Sequence, residues 1–301
     1  MRARSLCLVL LPLAQCPGEA QVDAVPAAPV VPASIRWTPE PVIEGTLFVI
    51  HIEGGEPAVA SAQGTFGGQP IHFFTTTDGR LQALAAAPLD SAGPRTLTLE
   101  LTHAGGSQDV RTAVIEIAPG RFEMQHLRVA PEFGRPQPPE IQRRIAEEAE
   151  RAREVSRRSH DTPRLWEPPF TAPRPSRVTS GFGHGRKFND QIQSRHTGTD
   201  FAGAVGAPVR APARGRVALA DDFFLAGRVI YLDHGAGLVT GYLHLSDQLV
   251  RDGDLVEPGQ LIGRVGATGR VTGPHLHWVV RYGPHPVDGL SLLALFASPD
   301  P

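Results

Sequence analysis

Short apolar and alternating runs set the texture of the early chain: Leu47 to Ile52, Ile71 to Phe74, Thr96 to Leu101 and Val110 to Ile117. Residues of alternate polarity at period two predict strands, and turn residues such as Asp78-Gly79 and Gly105-Gly106 separate them. Strands at this spacing over 34–120 predict an immunoglobulin-like β-sandwich, a spacer or binding module with no catalytic cluster of its own. The period then changes. Ile141, Ile145, Ala149, Ala152 and Val155 recur at steps of three and four, which predicts a linker helix over 139–158 with Arg and Glu on its other face. Pro163, Pro168, Pro169, Pro173 and Pro175 mark an extended connector. Short strands return over 176–297: Val209 to Val217, Arg228 to Asp233, Leu238 to Leu243, Leu261 to Val265 and Leu276 to Arg281, with helical spacing only from Leu290 to Phe296. The fold class expected is mainly β, in two units joined by a helix.

The first residues read as an address. Arg2 and Arg4 precede an apolar stretch from Leu6 to Leu13, and small and polar residues follow, as in a secretory signal over 1–20. Leu13-Ala14-Gln15-Cys16 is close to a lipobox, which would put a lipid anchor on Cys16; cleavage after Ala20 is the other route. Either route implies export to the periplasm or cell envelope. Cys7 and Cys16 are the two cysteines, so a processed chain holds no internal disulfide and relies on packing or metal.

Composition narrows the classes further. Gly 32 and Pro 29 among 301 residues favour strands and tight turns over long helices. The net charge of −2 lacks the basic footprint of a nucleic-acid binder, and no apolar run is long enough to span a bilayer as a helix.

Candidate chemistry lies in the last unit: His196 and Asp200 in His-Thr-Gly-Thr-Asp, His244 in Tyr-Leu-His-Leu, and His275 and His277 in Gly-Pro-His-Leu-His-Trp. On a strand, residues two apart share a face about 6.6 Å apart along the chain. That interval lets one imidazole bind a metal while the other reaches a water beside it. His196 and Asp200 are four apart in a segment too rich in Thr and Gly for a helix, and Gly198 allows a bend that brings them together. With one histidine of the later pair they make a two-nitrogen, one-oxygen set, which suits Zn²⁺ with a position left open for water. His51, His72, His103, His126, His160, His184 and His285 lack suggestive company and read as surface or core residues; His234 reads as a turn residue.

Order and context then point to a family. Ser180-Gly181-Phe182-Gly183, His196 to Ala202, Gly206-Ala207-Pro208-Val209, Ala211 to Val217, Asp233-His234-Gly235, Thr240 to Leu245, Gly259 to Gly263, Gly266-Ala267-Thr268-Gly269, Gly273 to His277 and Pro286-Val287-Asp288 resemble the LytM/lysostaphin-type zinc endopeptidases, a group that includes peptidoglycan DD-endopeptidases. The resemblance implies an antiparallel sheet of the duplicated-hybrid-motif type with a groove walled by loops. It implies His196, Asp200 and His277 as zinc ligands, and His244 and His275 as the two catalytic histidines that do not bind the metal. The substrate it implies is the peptide cross-links or stem peptides of bacterial peptidoglycan. Arg228 and Trp278-Val279 depart from the common pattern, outside the five site positions. Two other readings compete with a wall-cleaving enzyme. One is a catalytically silent envelope module that binds peptidoglycan or activates an amidase; the other is a β-rich adhesion protein.

Overall fold

The structure is a computed structural model that describes residues 31–297; the export signal expected over 1–20 and the lipid anchor expected at Cys16 lie outside the described residues. No helix among the described residues is long and apolar enough to cross a membrane.

The first sheet has eight strands in the order Ser34–Thr38, Thr46–Glu53, Leu81–Ala87, Gln69–Thr75, Val59–Phe66, Gly93–His103, Gln108–Ala118 and Val42–Ile43. Its halves join through Gln69–Thr75, which pairs with Val59–Phe66 as far as His72 and with Leu81–Ala87 from Phe73 onward. Between the halves lies a core of Phe48, Ile50, Leu97, Leu99, Ile115 and Ile117.

The run Leu47 to Ile52 is apolar at nearly every position because both faces of its strand are covered. Phe48, Ile50 and Ile52 enter the sandwich core, whereas Leu47 and Val49 join a second core with Leu84, Ala86, Trp166, Phe170, Leu292 and Phe296. A strand buried on both sides needs no polar alternation. The two β units are further tied where the Leu47 amide donates to Ser291 Oγ at 3.0 Å and the Tyr282 hydroxyl donates to the Pro70 carbonyl at 3.0 Å.

The helix Pro139–Arg158 opens on proline, whose missing amide would be unpaired there anyway. It buries Ala152 against Phe223, Val229, Tyr231, Val239 and Leu243. Glu148 lies on the buried face too, contrary to the expectation that Arg and Glu fill only the solvent side. Its carboxylate is fully engaged, accepting from Arg144 Nε at 2.6 Å and from the Phe224 amide at 2.8 Å. Glu148 thus pins the tip of the hairpin Gly215–Phe223/Gly227–Gly235.

The C-terminal sheet has ten strands. Its main path runs Val178–Ser180, Thr199–Ala202, His275–Tyr282, Leu238–Gln248, Gly227–Gly235, Gly215–Phe223 and Leu255–Val256, with the outlying strands Pro208–Arg210, Leu261–Val265 and His285–Val287. All these pairings are antiparallel. The helix Gly289–Leu295 follows, capped by Asp288 Oδ1, which accepts from the Leu290 amide at 3.0 Å.

Two features depart from the sequence reading. The stretch 121–138, with no element expected, contributes the strand Met124–Leu127, which pairs in parallel with Gly185–Phe188. His234, expected in a turn, sits inside the strand Gly227–Gly235 with no exposed surface. Its Nδ1 donates to the Arg214 carbonyl at 2.8 Å, and its Nε2 accepts from Thr240 Oγ1 at 2.8 Å. The turn begins two residues later, where Ala236 takes a positive φ.

Candidate metal and catalytic centre

Register places the site. Asp200 lies directly opposite His277, and Ala202 opposite His275, in the pairing of Thr199–Ala202 with His275–Tyr282. His277 and His275 alternate with the buried Leu276, so both project from the same side of the sheet. His196 precedes Thr199–Ala202 and turns back at Gly198. A Cβ at Gly198 would lie 2.5 Å from the Trp278 carbonyl oxygen and 2.7 Å from His277 Nε2, so glycine is required there for close approach of two backbones. His244 comes from the third strand, just where Leu238–Gln248 leaves His275–Tyr282 for Leu261–Val265. Its φ of 64° is a left-handed conformation costly for a residue with a side chain, and it re-aims the strand at the site. The Ala226 carbonyl, on the hairpin tip held by Glu148, accepts the His244 amide at 2.9 Å.

Three ligand-type atoms converge, all within 4.8 Å of one another. His196 Nε2 is 3.0 Å from Asp200 Oδ1 and 3.0 Å from His277 Nδ1, and His277 Nδ1 is 2.7 Å from Asp200 Oδ1. The Gly181 carbonyl accepts from His196 Nδ1, which leaves Nε2 as a lone pair aimed at the centre. A lone pair, a carboxylate oxygen and one N–H cannot satisfy all three close contacts with a single proton. A cation between them does, and two imidazoles with one carboxylate suit zinc.

The other two histidines are oriented the same way. His244 Nδ1 donates to the Thr268 carbonyl at 2.8 Å, and His275 Nδ1 donates to the Gly273 carbonyl at 2.8 Å. In the neutral ring, that donation leaves Nε2 as the lone-pair nitrogen. Their rings lie 5.1 Å apart, and His275 Nε2 is 3.7 Å from Asp200 Oδ1.

Charge states follow from burial. Desolvation, reinforced by His277 and His275, holds the His244 pKa well below that of free imidazole, and burial lowers His277 to about 4. Burial works to raise Asp200, but the His196 and His277 rings against its carboxylate outweigh it and keep the group ionised far below its ordinary range. A neutral His277 beside an ionised Asp200 is the state a metal ligand set requires.

Two contributors are absent from the sequence reading. Arg186 donates to Asp200 Oδ2 at 2.6 Å and to Ser180 Oγ at 3.0 Å, so it anchors the carboxylate from behind. Gln125, from the parallel strand Met124–Leu127, accepts from Ser180 Oγ at 3.1 Å. Neither stands in a motif; only the pairing of Met124–Leu127 with Gly185–Phe188 brings them here. The seven histidines taken as bystanders stay outside the centre, although His72 and His160 do find company, stacking on each other with ring centroids 5.2 Å apart.

Two imidazoles and one carboxylate, with further histidines beside them, are the donor set of the mononuclear metal-dependent hydrolase class. Comparison with known proteins makes the class specific. Residues 194–289 match the model of peptidase family M23, and this part of the chain is a domain of that family. The chain is 43% identical over 116 residues to peptidoglycan DD-endopeptidase ShyB of Vibrio cholerae, a stretch that is 38% of this chain and 27% of the relative. It is 38% identical over 117 residues to DD-carboxypeptidase/endopeptidase Mpg of Neisseria meningitidis, covering 39% of this chain and 27% of that protein. The chain therefore spans about a quarter of the length of these curated relatives. A solved structure from Pseudomonas aeruginosa described as an M23 peptidase aligns over 86% of this chain and 97% of its own, with 27% identity and a TM-score of 0.65. The alignment with that structure takes in the N-terminal sandwich as well as the peptidase domain.

Proposed function

We propose that this protein is a zinc-dependent endopeptidase of the bacterial envelope that hydrolyses the peptide cross-links or stem peptides of peptidoglycan. The observation that carries the reading is the meeting of His196 Nε2, Asp200 Oδ1 and His277 Nδ1 at one point, with the His244 and His275 rings beside it. The wall-cleaving names of relatives with a similar domain support the substrate class.

In this reading His196, Asp200 and His277 hold the ion. Zinc, when bound there, lowers the pKa of water toward neutrality and polarises a carbonyl. The protein's own part is proton handling. Nε2 of His244 or His275 takes the proton of the attacking water, and the imidazolium so formed returns that proton to the leaving amine. The carbonyls of Thr268 and Gly273 keep both rings in the tautomer that allows this. Arg186 fixes the Asp200 carboxylate so that its other oxygen stays turned to the centre.

Placement in the envelope, with export through the segment 1–20 and either anchoring at Cys16 or release after Ala20, belongs to the same proposal. The decisive experiment uses residues 21–301, purified with zinc, on isolated sacculi. Peptide fragments should be released, the release should stop with chelator, and zinc should restore it. A protein that holds one zinc and releases nothing from sacculi of any cross-link type would refute the enzyme.

A further inference from the structure

Arg270 carries a positive charge that no acidic group among the described residues pairs. It lines the cleft of about 620 Å³ that contains Asp200, His244 and His275. Its guanidinium lies over the Phe188 ring at 4.1 Å, yet makes no hydrogen bond or ion pair among the described residues. Among the described residues Asp200 is the only carboxylate lining this cleft, and its two oxygens are already committed, one to Arg186 and the other to the histidines. Arg186 itself is a second guanidinium on the same wall, and the exposed Arg177 is a third.

A half-buried guanidinium is costly when unpaired, and more so beside another of the same sign. Burial, with Arg186 next to it, lowers the Arg270 pKa only to about 10, so the group remains cationic at neutral pH. The ring of Phe188 covers one side of the guanidinium, whose N–H donors have no partner among the described residues. A planar fork of N–H donors matches a carboxylate, which it binds through two parallel hydrogen bonds.

We propose that Arg270 is a specificity-determining residue of the cleft, binding a free carboxylate of the peptide that lies across His196, Asp200 and His277. The ligand class rests on the peptide-hydrolase reading above; the anion site itself rests on Arg270 and its surroundings. Substrates carrying that carboxylate are selected over the same peptides with a carboxamide, which offers no charge and presents donors to donors.

The test compares a cross-linked peptide dimer with its fully amidated counterpart, using zinc-loaded protein. Wild type should prefer the acid by about tenfold or more in kcat/KM, the range of a charge-assisted hydrogen bond. In Arg270→Gln, with zinc content and Tm checked against wild type, that ratio should fall to near one. Arg270→Lys keeps the charge without the fork and should retain an intermediate ratio, which serves the test if the glutamine variant does not fold. A wild-type ratio near one, or an unchanged ratio in either variant, overturns the proposal. If wild type cleaves neither peptide, the hydrolase reading fails, and calorimetric binding of the same pair decides the subsite separately. Tighter binding of the acid that Arg270→Gln abolishes upholds the subsite, because a carboxylate held by the zinc would bind both proteins alike. Equal binding of acid and amide overturns it.

Discussion

Gly198→Ala adds one methyl group in the tightest part of the site. The new carbon would lie 2.5 Å from the Trp278 carbonyl oxygen, 2.7 Å from His277 Nε2 and 2.8 Å from His277 Cε1. An ordinary contact begins at 3.4 Å, so going from 2.5 to 3.4 Å requires 0.9 Å of movement. The first neighbour is backbone of the central strand His275–Tyr282, which is paired on both edges and cannot yield cheaply. The displacement therefore falls on the bend between His196 and Asp200, or on the His277 ring. A centre must be held within about 0.5 Å of its productive geometry, and a misplacement of about 1 Å costs about 100-fold in rate. We expect kcat/KM on sacculi or a peptide dimer to fall about 100-fold, with weaker zinc retention against a competing chelator. Overpacking should also reduce stability by about 1–3 kcal/mol in urea unfolding. Gly273→Ala is the internal control, since its Cβ would meet nothing within 4 Å although it adjoins the same histidines. Wild-type turnover and zinc affinity in Gly198→Ala, or an equal loss in Gly273→Ala, would refute the steric argument.

Other expectations rest on separate contacts. Arg186→Gln removes the 2.6 Å ion pair behind Asp200 and should weaken zinc binding by about 10- to 100-fold, measured by competition with a chelating dye. His275→Ala should retain stoichiometric zinc while kcat falls by about 100-fold or more; loss of the metal along with the activity would reassign His275 to the ligand set. Burial lowers His234 to about 4, so the folded chain keeps this ring neutral while the unfolded chain protonates it below 6.5. Its contribution is intact above pH 6.5 and is lost as pH falls toward 4, by at most about 3 kcal/mol. Urea unfolding of His234→Gln should accordingly show a shallower decline than wild type over that window.

Periodicity set out most of the longer elements, though not the strand Met124–Leu127. Alternation around Thr96 to Leu101 and three-four spacing from Ile141 to Val155 report how each segment faces a core, and such spacing is written into consecutive residues. The order of the histidine motifs likewise pointed to the five side chains that the fold gathers into one place. Contacts between segments far apart in the chain left no such mark. Nothing near Gln125 or Arg186 marks them, because their position depends on the parallel pairing of Met124–Leu127 with Gly185–Phe188 some 60 residues on. The buried Glu148 reads as one more solvent-side acid until the hairpin tip arrives to occupy its carboxylate. His234 reads as a turn residue until Arg214 and Thr240 enclose it. Local spacing determines which face a side chain takes; only the packing of distant strands decides whether that face meets water, a second core or a charge that needs a partner.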